Sequence, residues 1–118
     1  MNITCREVGG LLVFDMAGDF DSRSAGPAKE EMRTAIHGGA LNIVVNLKDV
    51  GYIDSAGLGA LVSALKTAKE NDGTVALAEP TSQVNMVIEL TKLHLVFEIY
   101  SCVEDAVSGI SAKPPVES

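Results

Sequence analysis

Short apolar runs alternate along the chain with stretches whose apolar residues recur every three or four positions. Ile3 to Glu7 alternates apolar and polar side chains, as a half-buried strand does. Gly9-Gly10 and the apolar run Leu11 to Met16 follow, and because paired glycines accept the positive φ of a tight turn, the two runs predict a β-hairpin. Gly18 to Ser22 is polar and reads as a loop. A helix is expected from about Ser24, with Ala28, Met32, Ala35 and Ile36 on one face, Pro27 in its first turn and Gly38-Gly39 at its end.

Leu41 to Leu47 is almost continuously apolar with a β-branched centre, the mark of a strand covered on both faces. Lys48 to Asp54 reads as a short connection. An amphipathic helix then carries Leu58, Leu61, Val62, Leu65 and Ala68, and Asn71-Asp72-Gly73 stops it. Thr74 to Ala78 and Val96 to Tyr100 predict two more buried strands. Val84, Val87, Ile88 and Thr91 mark a third helix, and Val103, Ala106, Val107 and Ile110 a last one.

Hairpin, helix, strand, helix, strand, helix, strand, helix describes an α/β fold: a mixed sheet that opens with an antiparallel hairpin and continues through parallel crossovers. No internal repeat is visible. One domain over residues 1–110 is expected, with a disordered tail over 111–118 around Lys113-Pro114-Pro115. The outer strand of the hairpin would leave an edge open to self-pairing.

Composition narrows the function classes. The chain has 118 residues, enough to bury one sizeable core. With 4% aromatic residues and no Trp, that core must be aliphatic. A net charge of −7 argues against non-specific binding of nucleic acid or anionic membrane, and is compatible equally with a partner that presents basic side chains and with solubility alone. Cys5 and Cys102 are too few and too far apart for a disulfide framework or a zinc site. No signal peptide and no apolar run long enough to span a bilayer is visible, so a cytoplasmic protein without membrane insertion is expected.

Candidate chemistry concentrates in Asn46 to Gly59, which leads from a buried strand into the clearest helix. Sites in open α/β sheets gather at such carboxyl ends. On local chemistry alone Asp54 and Ser55 read as helix caps, and Gly57 and Gly59 as points of close packing. Ile53-Asp54-Ser55-Ala56-Gly57 lacks the Gly-x-Ser-x-Gly of a nucleophile elbow, no Gly-Lys-Ser/Thr phosphate loop occurs, and Val62 stands where a dinucleotide fingerprint needs its third glycine. Nothing in the order of residues sets His37 or His94 beside Ser55. Asp19 and Asp21 are two loop acids, too few to argue a metal. No catalytic residue, metal or cofactor is therefore expected, and the protein is not read as an enzyme.

Asp54-Ser55-Ala56-Gly57-Leu58-Gly59, placed after the apolar strand that ends in Asn46-Leu47, resembles the signature of STAS domains in bacterial anti-sigma factor antagonists. Gly18-Asp19-Phe20-Asp21 resembles that family's Gly-Glu-Leu-Asp segment, and the order of elements matches from Ile3 to Ile110. The resemblance implies a STAS-like mixed sheet and a phosphorylation-controlled switch in transcription regulation. Ser55 would be the phosphoacceptor. Asp19, Asp21, Asp54, Ser55, Ala56, Gly57, Leu58 and Gly59 would form the partner surface. It further implies an anti-sigma serine kinase that binds the unphosphorylated protein and a serine phosphatase that resets it. Ala56 stands where a second hydroxyl is often found, and Asp19 and Phe20 replace Glu and Leu. STAS domains also serve as accessory subunits of lipid or anion transport systems, the alternative reading.

Overall fold

The computed structural model describes residues 1–111. The elements are β1 (Asn2–Val8), β2 (Leu11–Phe20), α1 (Ala25–His37), β3 (Asn42–Ile53), α2 (Ser55–Glu70), β4 (Thr74–Ala78), α3 (Ser82–Leu90), a 3-10 turn at Leu93–Leu95, β5 (Glu98–Tyr100) and α4 (Val103–Ser111). The strands lie in the order β1-β2-β3-β4-β5. β1 runs antiparallel to β2, and every later pair is parallel.

This order fixes the layers. Gly9 and Gly10, at φ 57° and 85°, turn β1 directly into β2. Each later crossover steps one strand in the same direction, and right-handed crossovers that step one way put their helices on one face. Accordingly α1, α2 and α3 share a core with Phe14, Met16, Phe20, Ile43, Val45, Leu47 and Ile53. The opposite face is left to α4, whose Val103, Ala106 and Ile110 cover Leu11, Val13, Val44, Ala76 and Ala78.

Two strands run further than their sequences suggest. The polar-looking Gly18–Phe20 continues β2, and the supposed connection Lys48–Asp54 is mostly β3. Their parallel register gains one extra β3 residue between Asp15/Ala17 and Asn46/Asp49, and another between Gly18/Asp19 and Val50/Tyr52. These bulges break the two-residue alternation, so the buried positions Leu47, Val50 and Ile53 recur every third residue. Buried Asn46 holds the first bulge: its Nδ2 donates to Asp15 Oδ1 at 2.8 Å and its Oδ1 accepts from Lys48 N at 3.2 Å.

Three further expectations are corrected. β5 starts at Glu98 rather than Val96, because Lys92 is left-handed and the 3-10 turn consumes the preceding residues. Val62 is exposed, whereas Ala60 and Ala64 join Leu61 and Leu65 in the core. Ser111, placed in the tail by sequence, is the last residue of α4; the rest of the expected tail lies outside the described residues.

Candidate functional site

β2 and β3 end side by side. Asp19 is in register with Tyr52 and Phe20 with Ile53, and Asp54 N donates to Phe20 O at 3.2 Å. The parallel ladder therefore brings the Asp19–Asp21 segment next to Asp54–Ser55, although more than thirty residues separate them.

Asp54 caps α2. Its backbone is extended, and its Oδ1 accepts from Ala56 N at 2.9 Å and Gly57 N at 3.1 Å. That satisfies two of the first-turn donors a helix leaves free, and it sets a negative charge at the positive end of the helix dipole. Ser55 is the first helical residue and is exposed. Capping falls to Asp54, so the Ser55 hydroxyl is free of any hydrogen bond among the described residues and faces solvent.

Gly57 and Leu58 turn inward. A Cβ on Gly57 would stand 2.3 Å from Phe20 O and 2.9 Å from Ile53 Cγ1, so only glycine lets α2 start this close to the sheet. Leu58 is 7% exposed and belongs to the core. Gly59 is exposed, a Cβ there would meet nothing within 4 Å, and Ala56 is half-buried. Of the six residues from Asp54 to Gly59, then, Ser55 and Gly59 are the fully exposed ones.

The acidic pair divides in the same way. Asp21 turns back on its own loop: Oδ1 accepts from Arg23 N at 3.0 Å and Oδ2 pairs with the Arg23 guanidinium at 2.9 Å. That guanidinium holds the Asp21 carboxyl below the usual carboxylate range. Asp19 is exposed, and its side chain makes no hydrogen bond or ion pair among the described residues, although its charge acts on Arg23. Ser24 locks the loop, with its Oγ donating to Asp19 O at 2.8 Å and accepting from Asp21 N at 3.0 Å. Sequence reasoning passed over Arg23; the signal available was a base two residues after an acid in a loop that precedes a helix. Exposed Tyr52, in register with Asp19, was also missed.

Among the described residues no cluster of His, Cys, Asp and Glu could hold a metal ion, and no helix is long and apolar enough to cross a membrane.

The profile of the STAS domain family matches residues 2–106, and the chain belongs to that family. Its relatives within the family carry the name anti-sigma factor antagonist. The anti-sigma-B factor antagonist of Bacillus subtilis is 27% identical over 99 residues, 84% of this chain and 90% of the relative. A Thermotoga maritima protein with a provisional antagonist name is 35% identical over 71 residues, 60% of this chain, and the match spans 63% of that relative's length. Among solved structures, the antagonist SpoIIAA in its unphosphorylated form superposes with a TM-score of 0.82 at 19% identity, covering 96% of this chain and 99% of SpoIIAA. SpoIIAA in its phosphorylated form gives 0.73 at 19% identity, covering 92% and 99%. At that identity the likeness speaks for the fold.

Proposed function

We propose that this protein is an anti-sigma factor antagonist that works as a phosphorylation-controlled binding switch rather than as an enzyme. With a free Ser55 hydroxyl it binds an anti-sigma factor that is also a serine kinase. With phosphate on Ser55 it lets go, and a serine phosphatase restores the binding state. Its place is the cytoplasm, and its charge of −7 sets it against nucleic acid as a partner. Ser55, Asp19, Asp21, Ala56 and Gly59 form the surface the partner meets. Asp54, Gly57 and Leu58 hold that surface in place.

The observation that carries this reading is the exposed, unbonded Ser55 hydroxyl on the first turn of a helix capped by the preceding residue. A kinase can reach such a hydroxyl without unfolding anything. Phosphorylation adds about −1.5 to −2 charges and three acceptor oxygens. The helix dipole tolerates the added charge. Because the Asp54 carboxylate already holds two first-turn donors, the phosphate does not need to displace a cap to stay on the surface. The fold persists while the contact surface gains negative charge. A thousandfold loss of affinity needs only about 4 kcal/mol, and burying an unpaired dianion at an interface supplies a penalty of that order.

The test is to incubate the purified chain with each anti-sigma-type serine kinase of its own genome, ATP and magnesium, and to map phosphate by mass spectrometry. Phosphate is expected on Ser55 and absent from Ser55→Ala. Ser55→Ala should bind the kinase constitutively, and Ser55→Asp should bind it poorly. A folded protein that takes no phosphate from any of these kinases overturns the reading.

A further inference from the structure

The β1 edge of the sheet carries a second surface, which meets the first at Asp19 and Asp21. Among the described residues β1 has β2 as its one neighbour, so alternate N–H and C=O groups along Asn2–Val8 point outward without a strand partner there. On the helical face of the sheet, α1 does not close over this edge. A groove of about 370 Å³ lies between them, with Phe14 and Ala35 forming its apolar floor, Cys5 its strand side, and Glu30 and Glu31 its rim. Further along the same two elements a hollow of about 380 Å³ opens between Ile3 and Pro27, lined also by Asp19, Asp21 and Arg23. The two openings follow one line, because Ile3 and Cys5 share a face of β1 and Pro27, Glu30, Glu31 and Thr34 recur at helical spacing on α1.

Acidic side chains outnumber basic ones along this trench, with Glu30, Glu31, Asp19 and Asp21 set against Arg23. Glu31 has no ion-pair partner among the described residues. Glu30 meets Arg33 at 3.4 Å in an exposed contact of the kind that contributes little and yields easily. At the far end Arg23 pairs with Asp21 and is also stabilised as a cation by the nearby Asp19 charge. Partial burial, then the Glu31 carboxylate, push the Cys5 thiol above its usual range, so the acidic field reaches the strand itself.

We infer that the trench between β1 and α1 is a docking surface for an extended basic segment of a partner protein. Such a segment adds a strand to the free edge of β1, sets an apolar side chain against Phe14 and Ala35, and aligns Lys or Arg with Glu30, Glu31 and Asp19. A second copy of this chain fits less well. Two-fold antiparallel pairing of β1 with its copy keeps both α1 helices on one side of the joined sheet, so the Glu30–Glu31 rims face each other, in molecules of charge −7 each.

The experiment is a ¹H–¹⁵N NMR titration of the full chain with a capped peptide alternating Val and Lys, and in parallel with its Val and Glu counterpart. The basic peptide is expected to shift the amides of Asn2–Val8 and of residues 30–35, and the acidic peptide none of them. Glu30→Lys with Glu31→Lys should weaken the basic peptide by about tenfold or more while the rest of the spectrum keeps its dispersion. Cys5→Arg, which fills the groove from the strand side, should weaken it as well. Absence of these shifts at about 1 mM peptide, equal binding of the acidic peptide, shifts confined to residues 86–95, where Met86, Leu90 and Leu95 are exposed, or β1 shifts that grow with protein concentration alone would each overturn the inference.

Discussion

Two glycines two residues apart on α2 should respond to alanine in opposite directions. At Gly57 the added methyl would lie 2.3 Å from Phe20 O, 2.9 Å from Ile53 Cγ1 and 3.0 Å from Phe20 Cδ1. The first obstacle is a backbone carbonyl that accepts a hydrogen bond from Asp54 N, so it cannot rotate aside as a side chain would. Overpacking of this kind costs about 1–3 kcal/mol, and a backbone obstacle puts it at the upper end. Glycine to alanine inside a helix returns about 1 kcal/mol, leaving Gly57→Ala destabilised by roughly 2 kcal/mol. At Gly59 nothing lies within 4 Å and the backbone is helical, so the helix gain stands alone: Gly59→Ala should be stabilised by about 0.5–1 kcal/mol. Urea denaturation followed by circular dichroism measures both, and in thermal melts each kcal/mol shifts Tm by roughly 4 °C in a domain of this size. A Gly57→Ala protein as stable as wild type, or a Gly59→Ala protein clearly less stable, would refute the packing argument. Kinase binding adds a second reading of Gly59: a variant that is more stable yet binds less tightly marks that position as contact surface.

Asp54→Ala removes the acceptor of two first-turn amides and should cost about 1–2 kcal/mol, with Asp54→Asn recovering most of it; denaturant midpoints decide. Asn46→Leu leaves Asp15 without its Nδ2 donor and Lys48 N without its acceptor at the bulge, for an expected loss of about 1–3 kcal/mol by the same measurement. Asp15 gives a pH dependence. The Arg6 hydrogen bond at 2.6 Å, and after it the one from Asn46, lower its carboxyl below the unfolded value, so the folded state binds its proton less readily. The stabilisation is full above about pH 4 and fades as pH falls through the depressed folded value. Asp15→Asn should therefore flatten the acid side of the stability curve; an unchanged slope between roughly pH 5 and pH 2.5 would count against it.

Much of this architecture is legible without coordinates because local chemistry and tertiary structure agree. Gly9-Gly10 turns the hairpin, Gly38-Gly39 and Asn71-Asp72-Gly73 stop helices, and Ile43-Val44-Val45 is a central strand. What escaped is non-local. The bulges of β3 hide its carboxyl half, because a three-residue spacing of buried positions imitates neither strand nor helix over so short a run. Asn46 announced itself only as a polar residue inside an apolar run. Asp54 and Ser55 both read as caps, and the hydrogen bonds separate them: the aspartate does the capping and leaves the serine free. That Asp19 and Asp21 stand beside Ser55 follows from parallel pairing of β2 with β3, which sequence spacing does not encode. The inward turn of Leu58 follows helical periodicity, whereas the necessity of Gly57 depends on where Phe20 O lies.

The uneven length of β3 has a mechanical consequence. β4 pairs with it only from Asn42 to Asn46, so the stretch from Leu47 to Ile53 projects past its neighbour like a cantilever, braced on one side by β2 and clipped on the other where Thr81 Oγ1 donates to Val50 O at 2.9 Å. The serine sits at the tip of that beam. Because β2 follows the arm to its end and Leu47, Val50 and Ile53 are buried along it, the tip is held in a set position against the sheet. On the proposed function, a kinase would meet a serine whose position is set by this beam rather than by a loose loop.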